Sequence, residues 1–217
     1  MKKLLLFDFD GTVIDGSAGI YNCIRYATDK MGLPPVQADV LPLFVGPSLL
    51  DAFLRRIEND AGKAEIFIQR YRERYSVTGK YEAILYPGVE KLLRDLKRDG
   101  FILAVCSSKP RPYVEDIARF LGVYDCFALF ACVAFGDDSS DKTSLAKACL
   151  ARVGVPAEQA AFIGDRRYDV EAAHGAGMTA IGVSYGFAPP GELEAAGADI
   201  IADSPETLGR LLREGTV

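Results

Sequence analysis

Asp8 and Asp10 stand two residues apart in the run Asp8-Phe9-Asp10-Gly11-Thr12. An extended backbone there points both carboxylates to the same side. At about 6 Å and an effective dielectric near 20, the two charges repel by about 3 kcal/mol. A cation or a shared proton would relieve that repulsion. Asp165 and Asp169, in Gly164-Asp165-Arg166-Arg167-Tyr168-Asp169, add two more carboxylates. An all-oxygen donor set suits Mg²⁺, which takes one or two carboxylates, waters and a phosphate oxygen. Lys142 and the Ser107 hydroxyl offer a positive charge and a donor for the remaining phosphate oxygens. Nucleophile, acid/base, metal site and positive clamp are together the components of phosphoryl transfer. Taken singly, each residue has an ordinary reading. Asp-Gly is a common turn, an Asp or Ser after a strand caps a helix, and a first-turn lysine is usually solvated. The conjunction is what points to chemistry.

These residues need a scaffold that brings them together. Short apolar runs at 4–9, 102–106, 132–135, 160–163 and 179–184 read as buried strands, with a short last one at 200–201. Amphipathic patterns at 88–98, 113–121, 143–153, 170–176 and 205–212 read as helices. In the first of these, Val89, Leu92, Leu93 and Leu96 share one face while Lys91, Arg94, Asp95 and Lys97 face away. Gly100, Gly122 and Gly154 follow as stop signals. Repeated strand–helix–strand order predicts an α/β fold, a doubly wound, mostly parallel sheet covered on both faces. Ligands of such sheets bind beyond the carboxyl ends of the strands. Asp8, Asp10, Ser107, Lys142 and Asp165 all fall at such ends or just after them. Residues 16–83 break the rhythm, with helical patterns at 20–31, 48–58 and 63–75 and no buried strand. That is too long for a plain crossover. It predicts a helical insertion at 16–83 after the first strand, with the core formed by 1–15 and 84–217.

The chain has 217 residues, enough for one domain carrying a modest insertion. Surface scaling at this size gives about 9,800 Å² folded, with roughly 70% of the unfolded surface buried. Lys and Arg number 25 against 30 Asp and Glu, a net charge of −5 with no basic block. This disfavours general nucleic-acid binding. No apolar run approaches the roughly 18 residues of a membrane span. Lys2-Lys3 followed by residues 4–7 imitates the start of a secretory signal, but Asp8 and Asp10 end the apolar run too early. The five cysteines are odd in number and lack CxxC spacing. A reduced, cytoplasmic setting without a zinc site is expected. Nothing in the pattern compels association, so a monomer or weak dimer is expected, with no nucleic-acid or membrane partner.

The motifs, in order, resemble those of the haloacid dehalogenase superfamily of phosphohydrolases. Residues 8–12 resemble its first motif, the run ending in Ser107 its second, Lys142 its third, and 164–169 its fourth, of GDxxxD form. The insertion after the first motif is similar to the family's helical cap. Within the superfamily, residues 44–49 and 106–110 resemble loops of the phosphoglycolate phosphatase-like branch. Residues 164–170 and Tyr185-Gly186-Phe187 resemble a subgroup described as phosphatases or 5′-nucleotidases. Gly16 departs from that branch, which usually has Ser there, and so weakens helix capping at the hinge.

The resemblance implies roles. Asp8 is the nucleophile and forms an aspartyl-phosphate, while Asp10 is the general acid/base. Ser107 and Lys142 bind phosphoryl oxygens. Mg²⁺ is held by Asp8, Asp165 and the main-chain carbonyl of Asp10, with Asp169 acting through a metal-bound water. Substrate contacts are expected from Thr12, Gly46, Ser108 and Lys109, the substrate being a small phosphate ester. The rival activities are a phosphosugar mutase of the β-phosphoglucomutase type, against which Thr12 argues, and a pyrophosphatase. Residues 46–48 read either as a helix-start turn with an early proline or as a loop selecting the leaving group. Arg166 and Arg167 read as one salt-bridge and one solvent residue. His174 reads as a helix-end residue, Tyr71, Tyr75 and Tyr81 as packing of the insertion, and Asp137 and Asp138 as a solvated loop.

Overall fold

The structure is a computed structural model and describes residues 2–135 and 141–215. Asp137 and Asp138 lie outside the described residues. Strands β1 (Leu4–Phe7), β2 (Ile14–Asp15), β3 (Ile84–Leu85), β4 (Ile102–Ser107), β5 (Leu129–Cys132), β6 (Ala160–Gly164), β7 (Thr179–Val183) and β8 (Ile200–Ala202) form two sheets. The larger is parallel throughout, in the order β5-β4-β1-β6-β7-β8. The chain winds outward one way from β1 through β4 to β5, then returns to add β6, β7 and β8 on the other side. The carboxyl end of β1, between β4 and β6, is therefore the crevice where such sheets bind ligands.

Alternation along the strands sends side chains to two cores. Leu5, Phe7, Leu103, Val105 and Ile163 meet helices α4 (Val89–Arg98), α5 (Arg111–Phe120) and α9 (Pro205–Glu214). Leu4, Leu6, Ala104, Cys106 and Phe162 meet α6 (Lys142–Val153) and α7 (Arg167–Gly175). A four-residue helix, α8 (Glu192–Ala195), packs beside α7. Total accessible surface is 9,695 Å², close to the size expectation. Among the described residues, no helix is long and apolar enough to cross a membrane.

Helices α1 (Ser17–Lys30), α2 (Leu49–Arg56) and α3 (Ala61–Tyr75) follow β2. They pack on one another around a third core that includes Cys23, Ile24, Phe53 and Phe67. Ser48 and Asp60 accept the Asp51 and Lys63 amides at the starts of α2 and α3. At α1, Gly16 offers no side-chain cap, and Asp15 accepts the Ser17 amide at 2.9 Å instead.

Three details differ from the sequence reading. The first strand ends at Phe7, because the Phe9 carbonyl turns back to accept the Val13 and Ile14 amides. The strand expected at 132–135 lies at Leu129–Cys132. Beyond Cys132 the Val133 carbonyl leaves the ladder to accept the first amide of α5, and Phe135 is half exposed. Finally, β2 and β3 form an antiparallel pair where the insertion leaves and rejoins the core. Two residues per strand are too few to register as a period of two.

Candidate active site

Asp8 follows β1, Ser107 ends β4, and Asp165 follows β6, so three neighbouring strands deliver them to one place. The Phe9 amide donates to Asp8 Oδ1 at 2.7 Å, and Lys142 Nζ donates to Asp8 Oδ2 at 2.7 Å. Lys142 opens α6 and also donates to Asp169 Oδ1 at 2.6 Å. The other Asp169 oxygen accepts the Arg166 amide at 2.9 Å. Asp165 is held by the Thr12 hydroxyl at 3.2 Å and the Phe187 amide at 2.8 Å. Gly11 lets this happen. Its φ is +86°, and a Cβ there would sit 2.1 Å from Asp165 Oδ2.

Asp8, Asp165, Asp169 and Lys142 are each no more than 4% exposed. Among the described residues, oxygens of these three carboxylates lie within 4.8 Å of one another. Three carboxylates against one ammonium leave two negative charges without a counter-charge if all ionise. Burial first, then Asp169 and Asp8, push Asp165 well above the usual carboxylate range. Burial also raises Asp169, with Lys142 opposing and Asp8 adding to the rise. Burial works against the Lys142 charge, but Asp169 and Asp8 outweigh it and hold the ammonium above its usual range. A buried, over-acidic cluster of hard oxygens fits a divalent cation of the Mg²⁺ kind. The Asp10 carboxylate is not in this cluster. It pairs with Lys109 Nζ at 2.5 and 2.7 Å, and Gly16 makes room for it, since a Cβ there would lie 2.6 Å from Asp10 Oδ1.

A cavity opens above these groups. Asp8, Asp10, Ser107 and Lys142 line its catalytic end, and the insertion supplies Phe44, Gly46, Leu49, Tyr71 and Tyr75. Arg166 ties the two parts together. Its Nη1 donates to the Val45 carbonyl at 2.5 Å, and its Nε pairs with Glu192 at 2.7 Å. Of the expected substrate contacts, Gly46, Ser108 and Lys109 line the cavity. Thr12 does not: it is 1% exposed and its hydroxyl is turned to Asp165. His174 pairs with Asp199 on an exposed surface.

Several site residues escaped the sequence reading. Phe187 and Tyr185 hold Asp165 and the Thr12 carbonyl respectively. The Tyr185-Gly186-Phe187 run was visible, but its role was not. Glu192, 26 residues from its partner Arg166, left no local signal. Tyr71 and Tyr75 pack in the third core, as the sequence predicts, and both also line the cavity.

The family profile described as haloacid dehalogenase-like hydrolase matches residues 5–183. The chain is 34% identical over 191 residues to a 5′-nucleotidase of Pseudomonas aeruginosa, covering 88% of this chain and 86% of that one. It is 30% identical over 227 residues to a phosphoglycolate phosphatase of Chromobacterium violaceum, covering 98% and 97%. The crystal structure of a protein described as a predicted phosphatase from Clostridium acetobutylicum superposes with a TM-score of 0.92 at 31% identity, covering 99% of both chains. With its four motifs gathered at one end of the sheet, the chain belongs to the haloacid dehalogenase-like hydrolase family and is a hydrolase of the phosphatase type.

Proposed function

We propose that this hydrolase is a Mg²⁺-dependent phosphatase acting on small phosphomonoesters, 2-phosphoglycolate-like compounds or nucleoside 5′-monophosphates, through an aspartyl-phosphate on Asp8. In this reading residues 1–15 and 84–217 form the catalytic core and 16–83 the cap, working as a monomer or weak dimer in the cytoplasm. The observation that carries it is the buried convergence of Asp8, Asp165 and Asp169 around Lys142, with Asp10 and Ser107 facing the same cavity.

Asp8 Oδ1 is anchored by the Phe9 amide and Oδ2 by Lys142, which aims the carboxylate and shields its charge from an incoming phosphate. An Asp8 oxygen attacks phosphorus and the ester P–O bond breaks. Asp10 gives its proton to the leaving alkoxide. Asp10 then takes a proton from water as that water attacks phosphorus, the bond to Asp8 breaks, and phosphate leaves. Ser107 and Lys142 hold the phosphoryl oxygens throughout. Asp8, Asp165 and the Asp10 carbonyl would hold Mg²⁺, which would supply charge neutralisation for the phosphoryl group. Asp169 holds Lys142 and the Arg166 amide in place.

The test is phosphate release from a panel of phosphomonoesters, pyrophosphate and sugar phosphates, with Mg²⁺, with excess EDTA, and with Asp8→Asn. Release requiring both Mg²⁺ and Asp8 is expected. Release by Asp8→Asn at the wild-type rate sinks the mechanism, and an isomerised sugar phosphate in place of free phosphate identifies a mutase.

A further inference from the structure

Tyr71 and Tyr75 are cavity groups that the phosphoryl chemistry does not use. They stand four apart on α3, which puts them on one helix face. Their ring centroids are 5.2 Å apart and their planes 16° from parallel. The two residues are 5% and 3% exposed, and both line the cavity. Neither hydroxyl has a hydrogen-bond partner among the described residues. Neither is sealed off as an inaccessible orphan, so both open into the cavity. Each phenol can donate to or accept from a hydroxyl of a bound ligand.

The rest of the lining restricts what that ligand is. Ile20, Phe44, Val45 and Leu49 make the neighbouring walls apolar. The cations are committed: Lys109 to Asp10, Lys142 to Asp8 and Asp169, and Arg72 is likewise engaged. A leaving group bearing a carboxylate therefore meets no uncommitted cation among the described residues.

We infer that Tyr71 and Tyr75 form a leaving-group subsite whose phenols hold the sugar hydroxyls of a nucleoside 5′-monophosphate, with the base against Phe44 and Leu49. The subsite discriminates against the carboxylate-bearing leaving group of 2-phosphoglycolate. This deepens the phosphatase reading and rests on it.

Phosphate release is measured from adenosine 5′-monophosphate and from 2-phosphoglycolate, for the wild-type protein and for Tyr71→Phe and Tyr75→Phe. The nucleotide is expected to show the higher kcat/KM by about tenfold or more, the worth of two neutral hydrogen bonds. Each variant raises KM for the nucleotide roughly 3- to 10-fold, with no comparable rise for 2-phosphoglycolate. Both variants keep the ring, and thermal unfolding verifies that they fold. A wild-type preference for 2-phosphoglycolate overturns the inference, as does an equal KM rise for both substrates. A second arm needs no turnover: calorimetric binding of adenosine 5′-monophosphate to Asp8→Asn with Mg²⁺, expected to weaken roughly 3- to 10-fold when Tyr75→Phe is added. Absence of nucleotide binding there overturns the subsite. Absence of phosphate release from every ester overturns the phosphatase reading, while nucleotide affinity still decides the subsite.

Discussion

Replacing Lys142 with methionine tests the electrostatic core of the site. Its ammonium is 4% exposed and touches Asp8 and Asp169 at 2.7 and 2.6 Å. At an effective dielectric near 20, each contact is worth about 6 kcal/mol of attraction. Desolvation of the buried ions consumes much of that, and removing one partner from such an arrangement costs about 3–5 kcal/mol net. For a chain of this size that corresponds to a fall in Tm of roughly 6–20 °C. The variant leaves three buried carboxylates with no protein cation, so Mg²⁺ should stabilise it more than it stabilises wild type. At 100 times Kd a ligand adds about 2.7 kcal/mol. The assay is thermal unfolding at pH 7.5, with and without Mg²⁺, followed by phosphate release. Expected are a destabilised variant, partial recovery of Tm by Mg²⁺, and no recovery of turnover. A Tm within about 2 °C of wild type without metal would refute the view that Lys142 neutralises this cluster.

Other perturbations follow from the same geometry. Gly11→Ala places a Cβ 2.1 Å from Asp165 Oδ2 at a φ of +86°. It should cost at least about 1–2 kcal/mol from the backbone alone and abolish phosphate release; retained activity would show that Asp165 can shift freely. Arg166→Met removes the bonds to the Val45 carbonyl and Glu192. A loss of about 1.5–3 kcal/mol in denaturant unfolding is expected, with faster proteolysis near residues 45–48, and unchanged proteolysis would disprove the tie. Burial holds the thiols of Cys149 up at about 11 and Cys132 at about 12, with Asp8 adding to the latter. Because these folded values are raised, their contribution to stability is complete below the unfolded thiol value of about 8.5. It is lost as pH climbs through the window up to about 12. Tm should therefore hold from pH 7 to 8 and fall above pH 9, less steeply in Cys132→Ser; an equal fall in that variant would exclude Cys132 as a contributor.

Much of this protein was legible in its residues, because the relevant signals are local. A buried parallel strand is a short continuous apolar run, and the polar residues that end it are its ligand-facing residues. The strand ends at which Asp8, Ser107 and Asp165 stand were therefore locatable, and so was the run of three helices between residues 16 and 83, since three helical periodicities in a row leave no room for a strand. The lone departure at the hinge, Gly16, read as a missing cap. In three dimensions Asp15 supplies the cap, and the glycine gives Asp10 its space.

Contacts between segments distant in the chain were decided by the tertiary structure alone. Thr12, the last residue of the first motif, is an expected substrate contact, but its hydroxyl is turned onto Asp165. The Arg166 bond to Val45 spans 121 residues, and the Lys109 pair with Asp10 spans 99. No pattern of spacing encodes either: the first depends on how the helices of 16–83 settle over the sheet, the second on β1 and β4 lying side by side. Tyr71 and Tyr75 carry the same lesson. Their helical spacing says that one face is buried, and only the packed helices show that this face looks into a cavity. Periodicity specifies which side of an element leaves water, whereas what that side meets is set by the packing of elements far apart in the chain.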